Sequence, residues 1–218
     1  MPKYLPMILV LLGLFLFAAP VFAASPGPYL EVEGLGSWPN DSRNQSASGT
    51  FNASFKQGHG WGIALGYDLV DAYPDVGTGR VELEAADRQN DFKKLEFVDG
   101  KPPASGKLEI KSLLCNTFAE YHSPSIWTPY VGLGAGYAEV SVDQVTAAGV
   151  PFIAASKDQV FAFQVGCGVG LALGDHLTLD LGYRYFATLQ PELKLADGGT
   201  FKTRIGVHNV LLGLRLKY

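Results

Sequence analysis

The strongest constraint on the fold is a period of two in the hydropathy of the chain. In LTLDLGYRYF and in the C-terminal HNVLLGLRLKY, every second residue is apolar or aromatic, and most of the residues between are glycine, polar or charged. Successive side chains point to opposite faces in a β-strand. Both segments therefore predict strands with one apolar face.

The same alternation recurs along the chain and predicts eight strands in all. An even number of strands allows an antiparallel sheet to close on itself, which leaves no unpaired backbone edge. The six further segments are YLEVEGLGSW, GWGIALGYDL, GRVELEAA, KLEIKSLLCNTFAEY, PYVGLGAGYAEV and VFAFQVGCGVGLAL.

The N-terminus has the layout of a secretory signal peptide. Lys3 precedes an apolar run from Met7 to Ala19, and small residues surround Ala23. An uncleaved membrane anchor is the alternative, but the run is shorter than the roughly 20 apolar residues that a spanning helix needs. We therefore expect a signal peptide at 1–23 and a β-barrel domain at 24–218.

The connections between the predicted strands alternate in length. Long segments at 38–57, 87–106, 142–157 and 187–202 alternate with shorter turns, which is typical of outer-membrane barrels. Charged residues make up only 17% of the chain, against about 25% in soluble domains. The prediction is an all-β fold, an eight-stranded antiparallel transmembrane up-and-down β-barrel in the bacterial outer membrane. A secreted soluble β-sandwich, which would bury the same apolar faces, is the alternative.

In a membrane barrel the charged faces must line the interior, because arginine or lysine at the bilayer midplane costs roughly 2–4 kcal/mol. Side chains just fill an eight-stranded barrel, so we expect the glycines at 132, 134, 136, 166, 168 and 170 to make room for larger neighbours and leave no wide pore.

Buried ions need partners, so the interior charges are expected to form a structural ion network. Glu31 and Glu33 should meet Arg215 and Lys217 across the seam between the first and last strands, and Glu84 should lie near Lys111. The full predicted network comprises Glu31, Glu33, Arg80, Glu82, Glu84, Lys111, Asp180, Arg184 and Arg215.

Two expectations concern the outer face. Aromatic residues near strand ends should lie at the membrane interfaces; they are Tyr67, Trp127, Tyr130, Tyr183, Tyr185 and Tyr218. In the fourth strand, Leu108 and Ile110 are assigned to the apolar, lipid-facing side, which places Cys115 inside. Cys167 is assigned to the lipid face, so two free thiols are expected, although export would permit a disulfide.

Three segments resemble a known family. TPYVGLGAGYA at 128–138, LDLGYRYF at 179–186 and the terminal HNVLLGLRLKY are similar to the small eight-stranded outer-membrane barrels of the opacity-protein and OmpA-like type. In that family the C-terminus is a signal for the barrel-assembly machinery, which implies such a role for Gly213, Leu214, Leu216 and Tyr218. Phenylalanine is the commoner last residue there. The resemblance implies a structural or surface-interaction protein whose variable loops meet the outside.

Enzyme chemistry is not predicted. The glycine-rich FQVGCGVGLALG lies in a strand and lacks the strand-turn-helix setting of a dinucleotide site. Lipid A deacylases carry a serine two residues from a histidine on a late strand; here Asn209 and Val210 follow His208, so that serine is missing. The four histidines are scattered without metal-ligand spacing, and we expect no metal or cofactor.

The function expected from the sequence is a structural or surface-interaction role through four long extracellular loops. A channel for small or hydrophobic solutes is the alternative, and a lipid A-modifying enzyme is a second one. The expected partners are outer-membrane lipid, the barrel-assembly machinery, and host or environmental ligands of the loops. The net charge of −4 gives no reason to expect nucleic acid as a partner.

Overall fold

The computed structural model describes residues 26–47, 49–69, 79–98, 100–121 and 125–218. The predicted signal peptide at 1–23 lies outside these ranges. Within them, no helix is long and apolar enough to cross a bilayer.

The described chain is built from strands. They are β1 (Gly27–Pro39), β2 (Ser42–Ser46), β3 (Gly49–Phe55), β4 (Gly58–Asp68), β5 (Gly79–Glu96), β6 (Ala104–Ser105), β7 (Lys107–Glu120), β8 (Trp127–Val142), β9 (Val145–Ala147), β10 (Val150–Ile153), β11 (Ser156–Ala172), β12 (Leu177–Thr188), β13 (Glu192–Lys194), β14 (Thr200–Lys202) and β15 (Gly206–Lys217).

Eight long strands form a closed antiparallel barrel, which confirms the predicted fold. Each of them pairs with its neighbour in the order β1-β4-β5-β7-β8-β11-β12-β15, and β15 returns to β1. At this closing seam Glu31 lies opposite Arg215 and Val32 opposite Leu214. Closure leaves no edge of the barrel wall unpaired.

The predicted orientation of β7 is wrong. Leu108 and Ile110 point into the barrel and are buried, whereas Lys111 and Cys115 point outward. The expected proximity of Glu84 to Lys111 is therefore wrong too, since Lys111 lies opposite Asp87 on β5 and contacts Glu109.

β7 has this orientation because the polarity of the outer face changes along the strand. One row across β5, β7, β8 and β11 reads Ala85, Leu113, Tyr137 and Phe161, and the next row towards the long connections reads Asp87, Lys111, Glu139 and Gln159. The first row belongs to an apolar belt around the barrel. The second row lies beyond the belt, where water faces the wall and apolar side chains such as Leu108 turn inward.

The long connections are themselves β-structure and form a second ring on the barrel. β3 pairs with the upper end of β5, β5 with the residues beside β6, and β6 with β9. β9 pairs with β10, whose end bridges to the residue after β13, and β13, β14, β2 and β3 complete the ring. We call this ring the loop cap. Asp68 and Gly79, Glu120 and Trp127, and Ala172 and Leu177, the ends of the strands joined by the short connections, lie at the opposite end of the barrel.

Candidate functional site

The interior of the barrel at the level of the apolar belt is filled by charged side chains. Of the nine residues predicted there, all but Lys111 are buried in the interior. Arg88 and Glu120 join them. We call these ten residues the ionic core: Glu31, Glu33, Arg80, Glu82, Glu84, Arg88, Glu120, Asp180, Arg184 and Arg215.

Arg184 lies at the centre of one half of the ionic core. Its Nη1 is 2.5 Å from Oε2 of Glu84 and 3.2 Å from Oε1 of Glu33. The same Glu84 oxygen accepts hydrogen bonds from Nδ2 of Asn116 at 2.7 Å and Nε2 of Gln164 at 2.9 Å. Four strands thus meet at one carboxylate.

Arg80 and Arg215 organise the other half. Nε of Arg80 is 2.8 Å from Oε1 of Glu82, and its Nη1 contacts Glu120. Arg215 donates from Nη2 to Oδ2 of Asp180 at 2.5 Å and from Nε to Oε2 of Glu31 at 3.3 Å. The last contact crosses the seam between β15 and β1, as expected for Glu31 and Arg215. The expected seam contacts of Glu33 and Lys217 are wrong, because Glu33 contacts Arg184 and Lys217 contacts Asp68.

Two tyrosines complete this half. Tyr29 donates its hydroxyl to Glu82 at 2.6 Å, and Tyr130 donates to Asp180. Arg80 also stacks over the rings of Phe118 and Tyr130, with its guanidinium carbon 4.2 and 4.4 Å from the ring centroids. Tyr130 is buried, so its expected place at the membrane interface is wrong.

Glycines provide the space for these large side chains. A β-carbon at Gly168 would collide with the hydroxyl of Tyr130, and one at Gly166 would overlap Arg184. A β-carbon at Gly132 would overlap the ring of Phe118. The predicted packing of glycine against larger neighbours is confirmed at these positions.

Sequence reasoning missed Arg88, Glu120, Asn116 and Gln164. The prediction omits Glu120 and Asn116 because it reverses the orientation of β7, whose even-numbered residues point inward. Counting back in steps of two from Glu120 reaches Leu108 and would have placed both on the inner face. Arg88 lies on the inner face of β5 four residues beyond Glu84, in a stretch that was assigned to a loop.

The loop cap encloses a different interior, which we call the apolar core. Each of the four long connections contributes a phenylalanine to a central cluster of rings, formed by Phe51, Phe97, Phe152 and Phe201, and Phe55 and Phe92 belong to the same core. The ring of Phe51 lies 5.9, 5.1 and 5.3 Å from the other three centroids, and Phe97 and Phe152 are 4.9 Å apart. Leu95, Val145, Ile153, Leu193 and Leu195 surround them.

The apolar core continues down into the barrel until it meets the ionic core. Leu108, Ile110, Val140, Phe186 and Val207 are buried in this junction. The guanidinium carbon of Arg88 lies 4.5 Å from the ring centroid of Phe186, where the two regions touch.

The exposed face of the loop cap is polar. It carries Arg43, Gln45, Asn52, Lys94, Glu96, Glu192, Lys194, Lys202 and Arg204. Lys94 donates to Glu96 at 2.5 Å, and this hydrogen bond holds the pKa of the Glu96 carboxyl below its usual range. Basic side chains outnumber acidic ones among these residues, and the acidic Asp41 and Asp197 are exposed on the loop cap beside them.

Polar side chains on the outer wall form a hydrogen-bonded cluster near the loop cap. Tyr183 and Nδ1 of His208 are 2.6 Å apart, and Nε2 of His208 is 3.1 Å from Oδ1 of Asn40. Cys115 and Cys167 are free and point outward. Across the described ranges, His, Cys, Asp and Glu form no group that could hold a metal ion.

The residues of the predicted assembly signal lie at the end of β15. Leu214 and Leu216 point outward into the apolar belt, and Tyr218 is exposed at the rim. Gly213 points inward against Glu31. At the same rim Lys217 pairs with Asp68 at 2.5 Å.

Comparisons with known proteins agree with this architecture. The chain is 28% identical over 139 residues to the outer membrane protein PagN of Salmonella typhimurium, a match that covers 58% of this chain and 56% of PagN. The matched region thus spans little more than half the length of that relative. Among solved structures, OprG of Pseudomonas aeruginosa covers 92% of this chain and all of its own, with a TM-score of 0.60 and 14% identity.

Neisserial surface protein A is a second structural neighbour, with a TM-score of 0.53 and 19% identity over 89% of this chain and 99% of its own. Both structural likenesses concern the fold. A family model described as outer membrane protein beta-barrel domain matches residues 9–216. The chain therefore belongs to the outer membrane protein β-barrel domain family and is a protein of the bacterial outer membrane.

Proposed function

We propose that the protein is a non-catalytic surface-interaction barrel that presents the loop cap to the cell exterior. The observation that carries this proposal is the convergence of Phe51, Phe97, Phe152 and Phe201, one from each long connection, in a single apolar core. Loops that share a core hold a fixed surface, and binding residues concentrate on loops that a rigid scaffold positions.

A channel is less well supported. The ionic core fills the barrel at the level of the apolar belt, and the apolar core fills it above. A solute would have to break both Arg184 contacts and the phenylalanine cluster to pass. We propose that the ionic core is structural and holds the strands together.

The polar face of the loop cap suggests the chemistry of the partner. Arg43, Lys194 and Arg204 are exposed there, and Lys202 lies 3.9 Å from Glu192, a contact too long to neutralise it fully. Amide side chains at Gln45 and Asn52 lie among these charges. Such a face fits an anionic, hydroxyl-rich molecule of a host or environmental surface.

The first test is the orientation of the loop cap. In a background with Cys115 and Cys167 changed to serine, Val98→Cys at the cap should react with a membrane-impermeant maleimide on intact cells, because Val98 is 96% exposed. Asp175→Cys in a short turn should react only after the outer membrane is permeabilised. The reverse labelling would contradict the proposal.

The second test is binding. Cells that display the protein should adhere to an immobilised anionic polysaccharide more than to a neutral one, and Arg43→Gln with Arg204→Gln should reduce adhesion several-fold. Lys157→Gln, on the barrel wall below the cap, is the matched control. Equal adhesion of all variants, or stable conductance steps in planar bilayers, would count against this function.

Biogenesis gives the remaining proposed roles. We propose that Gly213, Leu214, Leu216 and Tyr218 form the signal for the barrel-assembly machinery, and that lipid of the outer membrane covers the apolar belt. The outward position of Leu214 and Leu216 supports both roles.

A further inference from the structure

The ionic core is unbalanced. Among the described residues it contains six carboxylates, of Glu31, Glu33, Glu82, Glu84, Glu120 and Asp180, but only four guanidiniums, of Arg80, Arg88, Arg184 and Arg215. Asp68 and Lys217 at the rim pair with each other and leave this difference unchanged. Two negative charges are thus in excess in a closed interior, where each uncompensated ion carries a desolvation penalty of several kcal/mol.

The hydrogen bonds are distributed unevenly among the carboxylates. Glu84 accepts from Arg184, Asn116 and Gln164. Asp180 accepts from Tyr130 and Arg215, and Glu82 from Tyr29 and Arg80. Glu120 contacts Arg80.

Glu31 and Glu33 are the least satisfied of the six. Each has one cationic partner, and in each case that partner lies closer to another carboxylate. Arg184 is 2.5 Å from Glu84 but 3.2 Å from Glu33, and Arg215 is 2.5 Å from Asp180 but 3.3 Å from Glu31. Oε1 of Glu31 is buried without a hydrogen-bond partner, as is one oxygen each of Glu82 and Glu84. The other oxygen of Glu82 and of Glu84 accepts hydrogen bonds of 2.5–2.9 Å, whereas Glu31 and Glu33 have only the contacts at 3.3 and 3.2 Å.

The charged groups around Glu31 and Glu33 already balance one another, with four carboxylates against four guanidiniums. β4 contributes only Gly62, Ala64 and Gly66 to the interior beside β1. The other strands present Arg80, Glu82, Glu84 and Arg88 from β5, Asn116 and Glu120 from β7, Tyr130 from β8, Gln164 from β11, Asp180 and Arg184 from β12, and Arg215 from β15. Tyr29 on β1 donates its hydroxyl hydrogen bond to Glu82.

We infer that Glu31 and Glu33 form a proton-binding site and that both are neutral carboxylic acids in the folded protein at neutral pH. Two bound protons remove the excess charge. The remaining four carboxylates then face four guanidiniums.

This assignment makes the stability of the barrel depend on pH. Exposed glutamates in the unfolded chain lose their protons near pH 4.3, so above that pH the folded state binds more protons than the unfolded state. Stability must then fall as pH rises, by up to about tenfold in the folding equilibrium per pH unit for each proton. The dependence ends once both folded groups have ionised.

Glutamine at both positions imitates the protonated acids and tests the inference. Wild-type protein and Glu31→Gln/Glu33→Gln are unfolded with urea from lipid vesicles between about pH 3 and pH 9. The double variant should match the wild type at the acidic end, below the pKa of unfolded glutamates, and be the more stable at the alkaline end. The difference between their folding equilibria should grow by up to about a hundredfold per pH unit while both glutamates are ionised in the unfolded chain and protonated in the folded one.

Glu84→Gln is the matched control. Glu84 is ionised in this assignment, so its replacement leaves Arg184 short of a partner and should destabilise the barrel at alkaline pH, where the double variant should be the more stable. A double variant that is destabilised at the acidic end, with an unchanged slope, would overturn the inference.

A measurement on the unmodified barrel does not depend on the variants folding. Infrared spectra of the wild type in vesicles at neutral pH should show the carbonyl band of protonated carboxylic acids, which disappears at alkaline pH. A spectrum with only ionised carboxylates would overturn the assignment. Stability that follows the concentration of sodium or magnesium at fixed pH would assign the excess charge to a metal cation and overturn it too.

Discussion

The ionic core and the apolar core lie in one barrel, about the same axis, yet their polarities are opposite. Beside the ionic core the outer wall is apolar, with Leu133, Leu181 and Leu212 exposed. Beside the apolar core the outer wall carries Asp87, Lys111 and Lys157. The surroundings of the wall decide which side chains turn inward. Where lipid covers the wall, polar groups are forced inside, and where water covers it, the ordinary burial of apolar groups returns.

The two cores should fail in different ways when disturbed. The ionic core depends on a few directional contacts, so removing one member leaves charges without partners. The apolar core depends on many non-directional contacts, and its loss opens the cap without breaking the barrel wall.

The largest effect is expected from Arg184→Leu. Glu84 would lose its guanidinium while buried, and removing one partner of a buried ion pair costs about 3–5 kcal/mol. The free energy of unfolding from lipid vesicles, measured with urea, should fall by that amount. Adding Glu84→Gln should restore much of the loss because the unpaired charge is gone. A single variant as stable as the wild type would show that the ionic core contributes nothing to the barrel.

A loss of similar size but confined to the cap is expected from Phe51→Ala. Phe51 is buried at the centre of the phenylalanine cluster, and truncation of a buried phenylalanine costs about 3–5 kcal/mol. Amide hydrogens of β2, β3, β13 and β14 should exchange much faster, while those of β11 and β12 in the barrel wall keep their protection. Phe163→Ala, which removes an outward ring from the apolar belt, is the control. Equal acceleration in both regions would mean that cap and barrel open as one unit.

The boundary between the two regions can be located with single arginines on the outer wall. Leu212→Arg places a charge on the apolar belt and should cost roughly 2–4 kcal/mol. Gln89→Arg places the same charge on the outer face of β5 beyond the belt, where it should leave the urea midpoint unchanged. If both substitutions cost the same, the polarity change between the rows of Leu113 and Lys111 does not mark the edge of the membrane.

The closed barrel, its closing seam and most of the ionic core could be predicted because period two and the position of glycine follow directly from strand geometry. The orientation of β7 could not be predicted from one rule for the whole chain. Leu108 and Ile110 are apolar for the reason that applies to water-soluble proteins, whereas Leu181 and Leu212 are apolar because they face lipid. In a strand that crosses the edge of the apolar belt, apolar side chains face outward within the belt and inward beyond it. Inward and outward positions nevertheless keep alternating without a break.

The loop cap could not be predicted from the sequence, for a different reason. Its strands are two to seven residues long. Their pairing joins segments that are far apart in the chain; Phe201, for example, lies opposite Ser46. Short strands carry too few alternations to reveal a period. Their apolar residues come into contact only once the barrel has brought the four connections to one end.

The smallest effect is expected where the same ion-pair geometry occurs in water. Nζ of Lys157 lies 3.1 Å from Oε2 of Glu139 on the outer wall, close to the 3.2 Å between Arg184 and Glu33 inside. Lys157 is 67% exposed, however, and Arg184 only 4%. The Lys157 ammonium holds the pKa of the Glu139 carboxyl below its usual range, so whatever the pair contributes is present at neutral pH and is lost as pH falls through that lowered pKa. Lys157→Gln should therefore leave the urea midpoint unchanged at neutral pH, and high salt should not alter the comparison, because solvent already screens the pair. A loss comparable to that of Arg184→Leu would show that distance and not burial sets the strength of these contacts, and the distinction between the two regions would fail.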